Sequence, residues 1–292
     1  MLESYDYHNH LPGKFHVVRC RTCGLMRTDP RPTAATIHLY YPADYAPYTR
    51  STVQPQGRRS AWRALLRKAT PFYNQHLPPL PPGYLLEVGC AAGAFLHHMA
   101  LLGWQVEGIE PGLQAAASAR SLGYPVQPLP LESAAPPLQP PDLVVAWMAL
   151  EHLHQPVIAL QKLAAWSKPG AWLALSVPNC ASFDFRLFKG TGYALHLPAH
   201  LYHFTPHTLR RVLWQGGWRV ERIFHQRTLG NFFGSLGYTL RQRGHANRLV
   251  DWLVAYPLNG KMHLLFYPLG FLLGLFGQTG RMTIWARKPE QG

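Results

Sequence analysis

The sequence predicts an α/β fold: a doubly wound, mainly parallel seven-stranded sheet with a small N-terminal knuckle-like module and a helical insertion before the last strand. Three observations carry this. From residue 84 onward, short apolar runs alternate with segments of helical periodicity, the pattern of a parallel sheet covered on both faces. The first run leads into Glu87-Val88-Gly89-Cys90-Ala91-Ala92-Gly93, and a helix starts at once. The second run ends in Glu110, about 20 residues after the loop, the spacing at which doubly wound folds bring a carboxylate to ribose hydroxyls.

The elements follow in order. Residues 1–50 read as a loop-rich module with Cys20-Arg21-Thr22-Cys23 and the prolines Pro30, Pro32, Pro42 and Pro47. Residues 51–83 hold one expected helix, Ala61 to Ala69, and the boundary Pro78-Pro79-Leu80-Pro81-Pro82, which can be neither helix nor central strand. Residues 84–292 form the large domain. Tyr84 to Val88 is the first buried strand. Phe95, Met99 and Leu102 then recur at helical spacing, and Gly103 stops the helix. Val106 to Glu110 is the second strand, Leu113 to Leu122 a helix, Val126 to Leu131 a weak strand, and Asp142 to Trp147 a clear one. Val157, Leu160 and Ala164 set a helix before the strand Trp172 to Val177. Thr205 is a suitable N-cap, with Pro206 at the first helical position and Leu209, Val212 and Leu213 as the apolar stripe. Trp218 to Phe224 and Arg281 to Ala286 complete the sheet, and residues 228–279 between them are the insertion.

The loop at 89–93 meets the need for glycine where a backbone turns sharply against a ligand. Its middle position is Ala91, so the dinucleotide pattern of three glycines is not met. Glu110 offers two acceptor oxygens to two vicinal hydroxyls. The plainer reading is a tight β–α turn and an ordinary glutamate; the spacing of the two features favours a ligand site.

These segments, with Glu110-Pro111, Asp142-Leu143-Val144-Val145, Leu150-Glu151-His152-Leu153, Lys168-Pro169-Gly170, Val177-Pro178-Asn179, and the later Leu197 to Thr205 and Ala286 to Pro289, resemble the successive motifs of class I S-adenosylmethionine-dependent methyltransferases. In type they resemble the broad group containing ubiquinone-biosynthesis O-methyltransferases and methyltransferases of bacterial glycan and natural-product clusters. The match spans about residues 84–229 and 280–289. The resemblance implies a Rossmann-like methyltransferase fold and bound S-adenosylmethionine. Gly89, Ala91 and Gly93 would pass under its methionine and ribose part. Glu87 would help position the methionine amino group, Glu110 would take the ribose hydroxyls and Glu132 would border adenine. Trp147 and Met148 would line the cofactor near the sulfonium.

Methyl transfer to a hydroxyl requires alignment and removal of one proton. His200, His152 and His203 are the candidate bases at the carboxyl edge of the sheet, and histidine titrates in the useful range. The plainer reading is structural packing. The acceptor expected is a small molecule, a glycan or a lipid-linked compound, with oxygen favoured.

Cys20 and Cys23 are the candidate metal ligands. Two thiolates from one knuckle cannot close a tetrahedral site, although His8, His10 or His16 could join them. The segment resembles half of a zinc ribbon, and the sequence argues against stable zinc. Four cysteines make no disulfide framework, so a reducing cytoplasm is the simplest compartment, and Met1 to His10 lacks the apolar core of a secretory signal.

The formal net charge of +14 attracts phosphate-bearing partners or is a solvated basic face. Its clumps are Arg58, Arg59, Arg63, Arg67 and Lys68, then Arg210, Arg211, Arg219, Arg222 and Arg227. A nucleic-acid methyltransferase ranks lower, since Ala146-Trp147-Met148-Ala149 stands where amino-methylating DNA enzymes carry an Asn/Asp-Pro-Pro-aromatic motif. A non-catalytic binding protein retaining the fold is the second rival, opposed by the intact cofactor residues. The run Leu264 to Phe276 is too short and broken to span a bilayer. It reads either as a helix packed against the sheet or against a second subunit, or as a lid that dips into an anionic membrane interface, helped by Arg241, Arg243, Arg248 and Lys261.

Overall fold

The computed structural model describes residues 2–41, 69–258 and 262–290. The expected helix Ala61 to Ala69 (all but its last residue), the basic clump at 58–68, Pro42, Pro47 and Lys261 lie outside the described residues. Within the N-terminal module, long loops join three short strands. These form an antiparallel meander of β1 (Leu2–Tyr5), β2 (Lys14–Arg19) and β3 (Met26–Asp29). Phe15 and Val17 point inward and pack against Leu195 and Leu197. Lysine, histidine and arginine around them obscured the alternation.

The large domain begins with β4 (Tyr84–Val88), buried at all five positions, as a central parallel strand must be. Next come α1 (Ala94–Leu101), β5 (Gln105–Ile109) and α2 (Leu113–Ser121). In α1 the buried face is Leu96 and Met99, not the expected stripe of Phe95, Met99 and Leu102. The helix stops at Leu101, and Leu102, its C-cap, is 54% exposed. Strand β6 spans only Val126–Gln127. Pro128 and Pro130 cannot donate to a ladder, so the strand expected to reach Leu131 ends early. The chain continues through β7 (Leu143–Trp147), α3 (Pro156–Trp166), β8 (Trp172–Pro178), α4 (Phe183–Phe188), β9 (Tyr202–His203), α5 (Pro206–Gln215) and β10 (Arg219–His225). Thr205 caps α5 as expected, in a reciprocal box with Thr208.

The sheet order is β10-β11-β8-β7-β4-β5-β6, with β11 (Arg281–Arg287) antiparallel to both neighbours and β4 to β8 parallel. Alternate residues feed two cores. Leu86, Val88, Val144 and Ala146 enter one with Leu209, Trp218 and Met282, while Leu85, Leu143 and Val145 enter the other with Met99 and Trp104.

The insertion forms α6 (Gly230–Gln242), α7 (Arg248–Ala255) and α8 (Tyr267–Leu275). Ser235 Oγ accepts from the Tyr193 N–H at 2.8 Å, and the Tyr238 hydroxyl donates to His8 Nδ1 at 2.8 Å, so α6 lies over the loop before β9 and over the N-terminal module. Helix α8 buries only Gly270, whose missing side chain admits the Arg227 backbone. Leu265, Leu269, Phe271, Leu272, Leu275 and Phe276 are exposed. The run is thus a helix packed through its glycine side, with most of its apolar side chains outward.

Strand β9 completes the small sheet, pairing Met26 with His203 and Arg27 with Tyr202. The Thr28 hydroxyl donates to the His200 carbonyl at 2.6 Å, so the 3.0 Å contact with His203 must be an Nε2–H donated to Thr28 Oγ1. Burial pushes His203 down to about 3. The unfolded histidine protonates near 6.5, whereas the folded one stays neutral. His203 thus contributes stability that is full above pH 6.5 and is lost as the pH falls toward 3. In denaturant titrations the stability difference between wild type and His203→Gln should shrink steadily below pH 6.5. A difference constant from pH 8 to pH 4.5 would mean that His203 titrates normally in the fold.

Candidate active site

The loop after β4 is held by the end of β5. The N–H groups of Gly89 and Cys90 both donate to the Ile109 carbonyl, at 2.8 and 3.3 Å. Gly89 and Gly93 have φ of +74° and +83°, and Ala91 has φ +46°, so the loop turns through left-handed backbone at three positions. For Ala91 this costs about 1–2 kcal/mol. Its N–H is secured by Glu110 Oε2 at 2.9 Å, while Glu110 Oε1 takes the Gly112 N–H at 2.7 Å.

Glu110 is 3% exposed. Burial raises its carboxyl above the usual range, and the two N–H donors oppose the rise. Glu87 is fully enclosed and is raised well above normal, by burial first and by the Glu110 charge second. Its Oε2 has no hydrogen-bond partner among the described residues. Two adjoining buried carboxyls with spare acceptor capacity suit a ligand carrying an ammonium group and hydroxyls, which S-adenosylmethionine has.

The end of β7 adjoins the same loop: a side chain on Gly89 would meet Ala149 Cβ at 3.3 Å. Trp147 stacks edge-on against Phe95 at 5.5 Å, and its Nε1 finds no acceptor among the described residues. Met148 takes φ +54°. Glu132 is exposed, its Oε1 accepting from the His154 N–H at 3.3 Å.

His152 and His200 come together, ring centroids 4.7 Å apart, and His196 lies 4.9 Å from His200. Glu151, 0% exposed, places Oε1 3.9 Å from His200 Nε2, and neither of its oxygens has a hydrogen-bond partner among the described residues. Burial lowers His152 to about 4 and His200 well below normal, and raises Glu151 to about 8. His203 stands behind them in β9. Glu151 and His196 were missed from sequence. Glu151 sits beside His152 in a motif already noted, and that adjacency was the available signal. His8, held by Tyr193 O and the Tyr238 hydroxyl, closes the cluster from the N-terminal module.

Cys20 and Cys23 do form a knuckle, with the Gly24 N–H donating to Cys20 O at 3.0 Å. Hydrogen bonding from Cys23 pulls the exposed Cys20 thiol down to about 7. Among the described residues no Asp, Glu or His joins these two sulfurs in a group of metal-ligand spacing. A groove of about 440 Å³ beside Cys23, lined by Leu25, Arg31, His154, Tyr202 and Arg211, is separate from the glycine loop.

Gly93 should be intolerant of substitution. A Cβ there would meet Ala119 Cβ at 2.9 Å, on top of the positive φ. Gly93→Ala is expected to lose about 1–3 kcal/mol of stability, measurable by denaturant unfolding; unchanged stability would show that α2 moves aside freely.

The family described as Methyltransferase domain matches residues 58–223. The ubiquinone biosynthesis O-methyltransferase of Albidiferax ferrireducens is 33% identical over 133 residues, 42% of this chain and 52% of that protein. The Bordetella parapertussis protein of the same name is 33% identical over 123 residues, 39% of this chain and 50% of its own length. The chain thus spans about half the length of these relatives. A crystal structure of mycolic acid cyclopropane synthase CmaA1 superposes with a TM-score of 0.51 at 15% identity, covering 88% of this chain and 99% of that one, and shares the fold. With the sheet order, the glycine loop and a family match over more than half of its length, the chain belongs to the class I S-adenosylmethionine-dependent methyltransferases.

Proposed function

We propose that this chain transfers the methyl group of S-adenosylmethionine to an oxygen of a small-molecule, glycan or lipid-linked acceptor. The observation that carries the reading is that the cofactor loop, after β4, and Glu151 and His152, after β7, lie at the carboxyl edge of one sheet, where open α/β sheets bind ligands, with His200 brought against them by the loop before β9. The partial likeness to ubiquinone biosynthesis O-methyltransferases supports oxygen as the acceptor atom.

The cofactor, when bound, supplies a methyl group on a positively charged sulfur that leaves readily. Gly89, Ala91 and Gly93 carry the loop beneath it. Glu110 accepts the ribose hydroxyls with the lone pairs that Ala91 and Gly112 leave free, Glu87 orients the amino group, and Glu132 borders the adenine. Trp147 and Met148 wall the reacting end. Burial keeps His152 and His200 neutral, so either ring has a lone pair for the acceptor proton. The imidazolium so formed is disfavoured by the same burial, and Glu151, 3.9 Å from His200 and itself raised to about 8, balances that charge once it has given up its own proton. His203 holds the loop in place behind them.

Calorimetry with S-adenosylmethionine should show Glu110→Ala binding about tenfold or more weakly, because two ribose hydroxyls lose their acceptor. His152→Ala and His200→Ala should keep cofactor binding and lose about 100-fold in turnover. Equal binding by wild type and Glu110→Ala would overturn the cofactor assignment.

The exposed face of α8 favours an apolar or lipid-linked acceptor collected at a membrane surface. Leu265, Leu269, Leu272, Leu275 and Phe276 form an outward apolar face on a chain of net charge +14, and Arg243 and Arg248 lie in the same insertion. No helix among the described residues is long and apolar enough to cross a membrane. Contact would be interfacial, with each arginine near anionic head groups worth about 1 kcal/mol. The protein should float with anionic vesicles at low salt and be released at high salt. The double change Phe271→Asp, Leu272→Asp should abolish flotation. Failure of the wild type to float at low salt would leave α8 as a surface for another protein.

A further inference from the structure

We infer that Arg281 binds an anionic group, a carboxylate or a phosphate, on the methyl acceptor. The inference deepens the methyl-transfer reading above and rests on it for the place of the acceptor. Arg281 opens β11 and pairs with Pro178, the last residue of β8. It therefore stands at the carboxyl edge of the sheet. On the other side of β8, Trp147 at the end of β7 pairs with Ser176. Two strand spacings separate β7 from β11, roughly 10 Å. A small acceptor can span that gap, with its hydroxyl near β7 and its anion at β11.

The side chain is held from one end only. Arg281 is half-buried, and its carbonyl accepts from the Gln226 N–H at 2.9 Å, which fixes the backbone. Its Nε–H donates to Asn231 Oδ1 at 3.2 Å, and Asn231 Nδ2 donates to the Gly280 carbonyl at 2.9 Å. An arginine can only donate and a carbonyl can only accept, so the buried amide has one orientation. The inner nitrogen of the guanidinium is thus occupied. Its two terminal nitrogens have no hydrogen-bond partner among the described residues. A planar fork of parallel N–H groups is the shape that grips a carboxylate or a phosphate with two bonds.

The charge is also unanswered. Among the described residues no carboxylate forms an ion pair with Arg281. One comes near: a side chain on Gly280 would meet Asn231 Nδ2 and Asp184 Oδ2, each at 2.6 Å. Asp184, in α4, hydrogen-bonds with the Ser182 side chain instead. Burial raises Asp184 above its ordinary range and Glu151 to about 8, and the Arg281 charge opposes both rises without undoing either. The carboxyls lean toward their neutral forms, whereas a guanidinium stays charged. The same charge acts on His196 of the loop at 193–203 and on His263 of the insertion. A half-buried cation among such groups is best satisfied by an anion from outside the chain. Spare donors occur on the same edge: Trp147 Nε1 and the enclosed Thr279 hydroxyl, two residues before Arg281, have no partner among the described residues.

The full-length chain, with and without S-adenosylhomocysteine, is titrated by calorimetry with benzoate, phenyl phosphate and their neutral match benzamide. The wild type should bind one of the two anions about tenfold or more tightly than benzamide, and the anion preferred names the group on the acceptor. Arg281→Gln, which keeps a donor for Asn231, should erase the preference. Arg281→Lys, a charge without the fork, should retain part of it. Both variants should bind S-adenosylmethionine as the wild type does, with circular dichroism confirming their fold. Should Arg281→Gln fail to fold, Arg281→Met, which keeps the apolar stem, takes its place. Equal affinity of the wild type for all three probes overturns the inference. So does an absence of binding by either anion at tens of millimolar, or a preference that survives the loss of the guanidinium. The parent reading fails separately. A wild type that binds S-adenosylmethionine but shows no preference for an anion loses this inference and keeps methyl transfer. A preference that needs Arg281, in a protein that binds no S-adenosylmethionine, keeps the anion site and removes methyl transfer.

Discussion

The carboxylate of Glu110 closes two turns at once. One oxygen holds Ala91 in a left-handed conformation that an alanine resists, and the other holds Gly112 at the start of α2. A buried carboxyl that spends both oxygens on backbone N–H groups is costly to enclose and so is tightly specified. Because the Ala91 turn sits between Gly89 and Gly93, the path of the loop, the start of α1 and the approach to α2 all depend on this one side chain. Glu87 lies next to it with one oxygen unpartnered among the described residues, and burial favours its neutral form. The cofactor half thus encloses acceptor capacity that the donors among the described residues leave unused.

On the acceptor side the organising feature is a layer of buried, neutral histidines. His203 ties β9 to Thr28 of the N-terminal meander, His8 ties that meander to Tyr238 of α6, and His200 and His152 are oriented by backbone carbonyls of the loop between them. Three pieces far apart in the chain therefore meet at one level: the N-terminal module, the loop at 193–203 and the helical insertion. Neutral imidazole is suited to this because each ring offers one donor and one acceptor, and so joins unlike partners without a buried charge.

Much of this was legible in the sequence where a local rule acts alone. The apolar run at 143–147 and that at 84–88, broken only by Glu87, read as buried central strands from their length and their place before turn signals, and Thr205-Pro206 marks a helix start by capping and by φ. The rule weakened where position depended on a partner. Leu102 resembled a core residue by spacing, but the helix had already ended. Strand β2 hid its alternation behind His16 and Arg19. Strand β9 is two residues long, too short for any period, and exists because β3 is there to pair with it. The histidines were noticed as a type, but their grouping arises from three separate segments, and Glu151 gains meaning only from the enclosure that leaves its oxygens without donors.

The place of β11 has a consequence for how the protein is made. The strand is 280 residues into the chain, yet it lies between β8 and β10, not at an edge. Until Arg281–Arg287 leaves the ribosome, β10 has no sheet to join and the long edge of β8 stays unpaired. The helical insertion, synthesised just before, emerges while that edge is still open. Exposed sheet edges and late, long-range strand pairing are the steps at which chains associate wrongly. Slow translation between β10 and β11 would lengthen that window, so the yield of folded protein should be sensitive to the speed at which this final stretch is produced.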